Sequence, residues 1–297
     1  MSWIWSYILY WFQLLALKII KTGQIPKHVA IMMDGNRRYA KKRNMAKMDG
    51  NKKGYDKLIE VIDWCTNLGI TEITAYTFSI NNFNRSKNEV NGFMKLARYK
   101  FKLMLEEKNK WDEKGIRIRV IGNLALLSEE MQKLLAKMMI TTKNNNKITL
   151  NLAFPYSSRD EITHAVKDIL RGVKHGDILL EDINEDLISH SLYTYKSTNP
   201  DLLIRTSGEV RLSDFLLWQI SNTCIYFSNV LWPEFNLWNF LSAIFYYQRC
   251  YSDLQKVAKI ENLKPIVHND RVSMYVNKLH HKREDMIENL YLSTVQP

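Results

Sequence analysis

The chain alternates short, continuously apolar runs with longer stretches in which apolar residues recur every three or four positions. The short runs predict strands over 28–33, 73–78, 116–121, 147–153, 202–204 and 223–227. The longer pattern predicts helices over 51–68, 88–110, 128–142, 158–171, 185–192 and 236–258. Parallel neighbouring strands need a crossover, and a helix between consecutive strands supplies one. The expectation is an α/β fold: a single domain with a mostly parallel six-stranded sheet flanked by helices. Ligands of such sheets bind beyond the carboxyl ends of the strands, so a site is expected in those segments. Helix 88–110 carries an i, i+4 stripe of Phe93, Ala97, Phe101 and Leu105, which reads as packing on the sheet or as the wall of an apolar cavity.

Both ends depart from this pattern. Over 3–17 no residue is charged, and Trp3, Trp5, Tyr7, Tyr10, Trp11 and Phe12 crowd the first half. Lys18 and Lys21 close the run, and Gly23 and Pro26 end any helix. A cleavable signal peptide is a poor match, because no basic residues precede the run and no small-residue cleavage site follows it. Even counted through Lys18, the run falls short of the about 20 apolar residues of a full span. Trp and Tyr favour the membrane interface, so residues 1–25 are expected to form a helix on a membrane face. The alternative is a terminal helix docked on the protein's own core. Residues 26–258 are expected to form the α/β domain. Residues 259–297 make a charged tail, broken at Pro265 and at most a loosely attached helix.

Composition narrows the class. At 297 residues the chain is one large domain or two small ones, and 46% hydrophobic against 25% charged residues supports a substantial core. Cys65, Cys224 and Cys250 are too few and scattered for a disulfide framework or a cysteine zinc site, which fits a reducing compartment. Forty-two Lys and Arg against 31 Asp and Glu leave a net charge of +11. That excess calls for an anionic partner: nucleic acid, anionic lipid or a phosphorylated small molecule.

The strand ends choose among these. After the first strand come Asp34, Gly35, Asn36, Arg37 and Arg38. Asp-Gly-Asn is a tight turn, but a carboxylate followed at once by two arginines suits a diphosphate. The acid offers Mg²⁺ a hard oxygen, and arginine forks grip phosphate oxygens. No P-loop or dinucleotide glycine pattern is present. The second strand leads to Asn82 and Arg85, which read as an orienting amide and a further phosphate fork, or as a polar loop into a helix capped by Ser86. Beyond the fifth strand Arg205, Arg211 and Ser213 surround Gly208 and make a second anion site. Glu234 is a lone acid in the apolar Leu231–Trp232–Pro233–Glu234–Phe235 segment, and reads as a metal ligand. Two basic sites with two carboxylates, Asp34 and Glu234, suggest a reaction between two diphosphates assisted by Mg²⁺.

Together these segments resemble the cis-prenyltransferases, the undecaprenyl and dehydrodolichyl diphosphate synthases. The likeness runs over 26–258, and its motifs are M-D-G-N-R-R-Y-A, F-S-x-x-N-x-x-R-S, R-T-S-G-E-x-R-L-S-D-F-L-L-W-Q and W-P-E-F. The Arg-Arg-Tyr form of the first motif is similar to that of the eukaryotic branch. The resemblance implies successive condensation of isopentenyl diphosphate onto an allylic diphosphate, usually farnesyl diphosphate, over an apolar tunnel. By position, Asp34, Gly35, Asn36, Arg37 and Arg38 would hold the allylic diphosphate, with weaker support from Asn51. Asn82 and Arg85 would assist ionisation and proton removal, and Arg85 would also contact diphosphate. Arg205, Arg211 and Ser213 would bind isopentenyl diphosphate, and Asp34 and Glu234 would hold Mg²⁺.

Departures from the pattern also carry information. Asn51 and Asn81 stand where many members have His and Glu. No Arg-x-Gly follows the Trp-Pro-Glu-Phe segment, although single-subunit members use that motif to complete the isopentenyl site. The resemblance therefore implies a heteromer, with a Nogo-B-receptor-type subunit supplying the missing motif. It also implies residence at the cytosolic face of the endoplasmic reticulum membrane. Intact Asp and Arg motifs argue against a non-catalytic scaffold subunit. Nucleic-acid binding rests on net charge alone, without a helix-turn-helix, zinc or aromatic-platform signature, and no such partner is expected.

Overall fold

Each predicted strand forms, in the computed structural model, within two residues of its expected bounds; residues 2–261 and 269–294 are described. In chain order the elements begin with α1 (Ser2–Ile20), β1 (His28–Met32), α2 (Asn36–Lys42), α3 (Lys47–Leu68) and β2 (Glu72–Tyr76). Next come α4 (Lys87–Glu106), α5 (Lys108–Lys114), β3 (Ile116–Ile121), α6 (Glu129–Thr141), β4 (Ile148–Ala153) and α7 (Ser158–Lys174). The series closes with α8 (Glu185–Ser191), β5 (Leu202–Arg205), β6 (Cys224–Phe227), α9 (Leu237–Glu261) and α10 (Asp270–Leu292). The six strands order as β3-β4-β2-β1-β5-β6. The pairs β1/β5, β5/β6 and β3/β4 are all parallel, as the alternation predicted.

Two compact units can be distinguished: Met1–Ile73 with Asn199–Arg211 and Ile220–Leu263, and Thr74–Thr198 with Leu212–Gln219 and Lys264–Pro297. In the first unit every residue of β1 and β5 is buried, as expected of parallel strands covered on both faces. Leu58, Val61, Ile62, Cys65 and Leu68 form the buried stripe of α3, and Phe240, Ala243, Ile244 and Tyr247 that of α9. Burying each of the larger of these side chains contributes about 1.5–3 kcal/mol. Asp201 starts β1 by accepting the amides of Lys27 and His28 at 2.7 and 2.9 Å. The β1/β5 register sets Met32 opposite Arg205, so both strands release their following loops at one end.

The N-terminal segment is helical, and its end is tied to this unit: Gln248 Nε2 on α9 donates to the Ile20 carbonyl at 2.8 Å. Trp11, Phe12, Leu15 and Ile19 of α1 are exposed. No described helix is long and apolar enough to cross a membrane.

In the second unit the predicted helix 88–110 divides into α4 and α5 at Glu107, where the apolar stripe gives way to a run of charges. Of the stripe only Phe101 is buried, meeting Phe154 edge-on at 5.6 Å; Phe93, Ala97 and Leu105 are half-buried, with Phe93 stacked on Phe78 at 4.9 Å between centroids. The tail departs more from expectation. Pro265 lies outside the described residues, but α10 is a firmly docked helix. Its Tyr275 and Leu279 join Ile169, Ile178 and Leu187 in a buried cluster. Arg271 clasps Asp182 through Nε and Nη2 at 2.9 and 2.8 Å, and Arg283 reaches Asp168 at 2.9 Å.

Candidate active site

The first unit builds its site from two loops leaving β1 and β5. Asp34 follows β1, and its backbone is fixed by Thr206. That hydroxyl accepts the Asp34 amide at 3.1 Å and donates to the Asp34 carbonyl at 2.8 Å. The same carbonyl accepts the Trp232 amide at 3.0 Å, which brings the Trp-Pro-Glu turn against the loop. Gly35 sits at φ +107, and a Cβ there would lie 3.0–3.2 Å from Leu231 and Ser207. Both the backbone region and the space require glycine.

The Asp34 carboxylate is clasped on one side. Oδ1 accepts the Gly35 amide at 2.7 Å, and Oδ2 accepts Arg205 Nη2 at 3.0 Å. The Arg205 side chain is only 2% exposed and that of Asp34 38%. A buried guanidinium thus holds a carboxylate whose other face remains open. Arg205 Nη1 also donates to the Arg211 carbonyl, which ties the end of β5 to the loop beyond it. Arg38 on α2 lies 3.7 Å from Asp34 Oδ1, and its guanidinium donates to the Ser207 carbonyl at 3.0 Å and to the Ser207 hydroxyl. Glu209 lies between Arg38, at 3.1 Å, and Arg211. Arg37 is exposed on α2.

Three of the expected residues have other neighbours. Asn36 is turned toward α3: a Cβ on Gly54 would come within 2.3 Å of Asn36 Oδ1. Its amide nitrogen reaches the Met33 carbonyl at 3.4 Å, so the side chain seats α2 and leaves contact with an anion to the backbone. Glu234 faces Lys42 and Arg43, each at 3.4 Å, near the end of α2. Asn51 lies on α3, 3.9 Å from Met48 Sδ.

Among the described residues no three His, Cys, Asp or Glu side chains gather to cage a metal. The donor set does suit a cation that arrives with phosphate oxygens and water, as Mg²⁺ does, with one carboxylate contributed by the protein. Asp34, anchored by Arg205 and open on its other face, has that character. Glu234 has to exchange its two cationic neighbours before it can contribute.

The remaining predicted residues belong to the second unit. Asn82 Oδ1 accepts the Ser79 amide at 3.1 Å, and the Ser79 hydroxyl accepts that of Asn81 at 3.2 Å. This reciprocal cap fixes the turn Ile80–Asn84 and leaves the Asn82 amide group as a donor. Arg85 pairs with Glu89 at 3.3 Å, and Ser86 caps α4 as the sequence suggested. Ser213, Asp214 and Leu216 all have positive φ, 46°, 62° and 49°. Such geometry is costly for residues with a Cβ, and the surroundings impose it. The Ser158 amide donates to the Asp214 carbonyl at 2.9 Å, and the Ser158 hydroxyl accepts the Leu217 amide at 2.7 Å. Behind it Tyr156, Gln219 and Thr194 converge on Glu161, whose carboxyl burial pushes above the usual range against the pull of those hydrogen bonds. Nothing in the sequence marked Thr206, Ser207, Glu209, Gly54 or Glu161 as supports, although Thr206, Ser207 and Glu209 all stand inside the R-T-S-G-E motif.

A parallel α/β sheet that carries an arginine-clasped aspartate and further arginines at its strand ends defines a class of diphosphate-handling transferase. The family model described as "Putative undecaprenyl diphosphate synthase" matches residues 32–253, and the chain belongs to that family, the cis-prenyltransferases. It is 51% identical over 256 residues to the dehydrodolichyl diphosphate synthase complex subunit of Homo sapiens, covering 86% of this chain and 77% of that one. Against the geranylgeranyl-diphosphate-specific tritrans,polycis-undecaprenyl-diphosphate synthase of Pyrococcus abyssi, identity is 43%, over 78% of this chain and 88% of the other. Among solved structures, lavandulyl diphosphate synthase from Lavandula x intermedia, in complex with dimethylallyl diphosphate, superposes with a TM-score of 0.72 at 33% identity. That match covers 75% of this chain and 95% of that one.

Proposed function

We propose that this cis-prenyltransferase is the catalytic subunit of a two-subunit enzyme. It condenses isopentenyl diphosphate units onto farnesyl diphosphate and makes a long-chain, dehydrodolichyl-type polyprenyl diphosphate for dolichol synthesis and protein glycosylation. The observation that carries this reading is the clasp of Asp34 by buried Arg205, with Arg38 and Arg211 alongside, in a chain 51% identical to a dehydrodolichyl diphosphate synthase subunit.

The chemistry follows from charge. Breaking the allylic carbon–oxygen bond leaves pyrophosphate with growing negative charge, and fixed guanidinium groups stabilise it without reorganising. Arg37 and Arg38 are assigned to that leaving group, and Arg205, Arg211 and Ser213 to the diphosphate of isopentenyl diphosphate. Asn82 and Arg85 keep the roles the family resemblance gives them, in ionisation and proton removal. Mg²⁺ held by Asp34, with Glu234 in support, would add Lewis-acid stabilisation of the same charge. An apolar tunnel would shelter the allylic cation from water.

The human relative's description as a complex subunit supports dependence on a second subunit, which the family resemblance makes one of the Nogo-B-receptor type. The exposed Trp11, Phe12, Leu15 and Ile19 support attachment to a membrane surface, which we place at the cytosolic face of the endoplasmic reticulum. The test is incorporation of labelled isopentenyl diphosphate into long-chain product, with farnesyl diphosphate and Mg²⁺ and with or without the partner. Robust synthesis is expected only with both subunits. Full activity of the chain alone would remove the partner from the scheme, and no product in either case would remove the activity.

A further inference from the structure

Glu209 takes up the guanidinium groups that the proposed function assigns to diphosphates. Its carboxylate lies 3.1 Å from Arg38 Nη2 through Oε1 and pairs with Arg211 through Oε2. One side chain thus bridges an arginine assigned to the allylic diphosphate and one assigned to isopentenyl diphosphate. The backbone is shaped for this contact. Ser207 and Gly208 are both left-handed, at φ 79° and 74°, so the chain turns sharply before Glu209. The turn is pinned by hydrogen bonds from the Ser207 amide to the Val230 carbonyl at 2.8 Å and from the Gly208 amide to the Ser228 carbonyl at 2.9 Å. A serine held in a region that favours glycine points to a selected position.

Arg38 does not need Glu209 for its orientation, because the Ser207 carbonyl and hydroxyl already hold its fork. The carboxylate therefore supplies mainly competition: an anion bound by both arginines must take over contacts that Glu209 makes. We propose that Glu209 is a positioning residue acting as an internal anion. It weakens the hold of Arg38 and Arg211 on inorganic pyrophosphate and lets each condensation's product leave before the next isopentenyl diphosphate arrives. This inference rests on the diphosphate roles proposed above for the two arginines.

The test is calorimetric titration of the full-length chain with inorganic pyrophosphate. It compares the unmodified protein with Glu209→Gln, Arg38→Ala and the double variant, with Glu209→Ser as a second substitution should Glu209→Gln fold poorly. Glu209→Gln is expected to bind pyrophosphate about three- to tenfold more tightly, since it removes a partly exposed competing charge. The gain should vanish in the double variant, and the melting temperature should stay unchanged. In the complex with its partner, pyrophosphate should inhibit Glu209→Gln at correspondingly lower concentration, whereas a merely structural role would leave that constant alone. Equal or weaker binding by Glu209→Gln, with Arg38→Ala still weakening it, overturns the role of Glu209 and leaves the diphosphate assignment standing. Loss of any dependence on Arg38, or no pyrophosphate binding in any form, overturns both.

Discussion

At the scale of single residues, the Asp34–Arg205 pair decides what can be tested cleanly. Arg205 is buried, and removing its partner outright leaves a guanidinium uncompensated, a situation that destabilises strongly. Asp34→Ala therefore mixes loss of chemistry with loss of fold. Asp34→Asn retains an oxygen for Arg205 and removes the charge that a cation needs. Its expected effect is a roughly 10²–10³-fold fall in isopentenyl incorporation with a nearly unchanged thermal melt. An unaltered rate would detach Asp34 from the reaction. The residues behind this pair show what a sequence exposes. Arg205 and Arg211 were visible because charges between two apolar stretches are anomalous. The roles of Ser207, Glu209 and Gly54 were not, because they come from the positive φ of Ser207 and Gly208, from the ion pairs Glu209 makes beyond that turn, and from a glycine surface pressed against Asn36. The apolar setting of Glu234 reads as a metal site, whereas its charged neighbours Lys42 and Arg43 come from the end of α2, a helix too short for the pattern to show.

At the scale of elements, the strands were legible because parallel strands buried on both faces must be continuously apolar, and little else in a chain is. The seven-residue α2 escaped because it is too short to show a period and nearly all polar. The docking of α10 escaped for a different reason. Among its residues only Tyr275 and Leu279 are buried, and its anchors are arginines, which read as solvated charge from sequence alone. Asp182 is the centre of that anchorage. It accepts two hydrogen bonds from Arg271, one from Asn269 at 2.7 Å and the Leu179 amide at 2.7 Å. Arg271 above all holds the Asp182 carboxyl down at about 2, below the ordinary 3.8. A carboxylate that binds its proton less readily in the folded state stabilises the fold above its unfolded pKa, and that contribution fades as pH falls from about 4 to 2. Protection of the α10 amides against hydrogen exchange, taken relative to the intrinsic rate at each pH, is expected to fall across that window. In Asp182→Asn it should already be lowered at neutral pH and respond less to acid. Flat protection in the unmodified chain between pH 4 and 2 would show that α10 is held by its apolar contacts alone.

At the scale of the whole molecule, the net charge of +11 divides among several tasks. Arg38, Arg205 and Arg211 pair with Asp34 and Glu209 at the candidate site of the first unit, Arg271 and Arg283 fasten α10, and Lys18 and Lys21 stand where α1 ends. The described part of α1 exposes Trp11, Phe12, Leu15 and Ile19, and its end is fastened to α9 through Gln248. Aromatic rings with apolar bodies, followed by two lysines, suit an anionic bilayer surface, where apolar insertion and electrostatic attraction add. The full-length chain is therefore expected to float with vesicles of mixed phosphatidylcholine and phosphatidylserine. Each large apolar side chain inserted contributes about 1.5–3 kcal/mol, so the Trp11→Glu, Phe12→Glu pair should lower vesicle affinity by roughly 10²-fold or more. Raising the salt should weaken the unmodified chain far less, because only the lysine contribution is screened. Isopentenyl transfer to a short, soluble allylic substrate should survive the double substitution, since neither position lies at the arginine site. Undiminished flotation of the variant would assign the exposed stripe to a protein partner instead, and a matching loss of dependence on the second subunit would identify which.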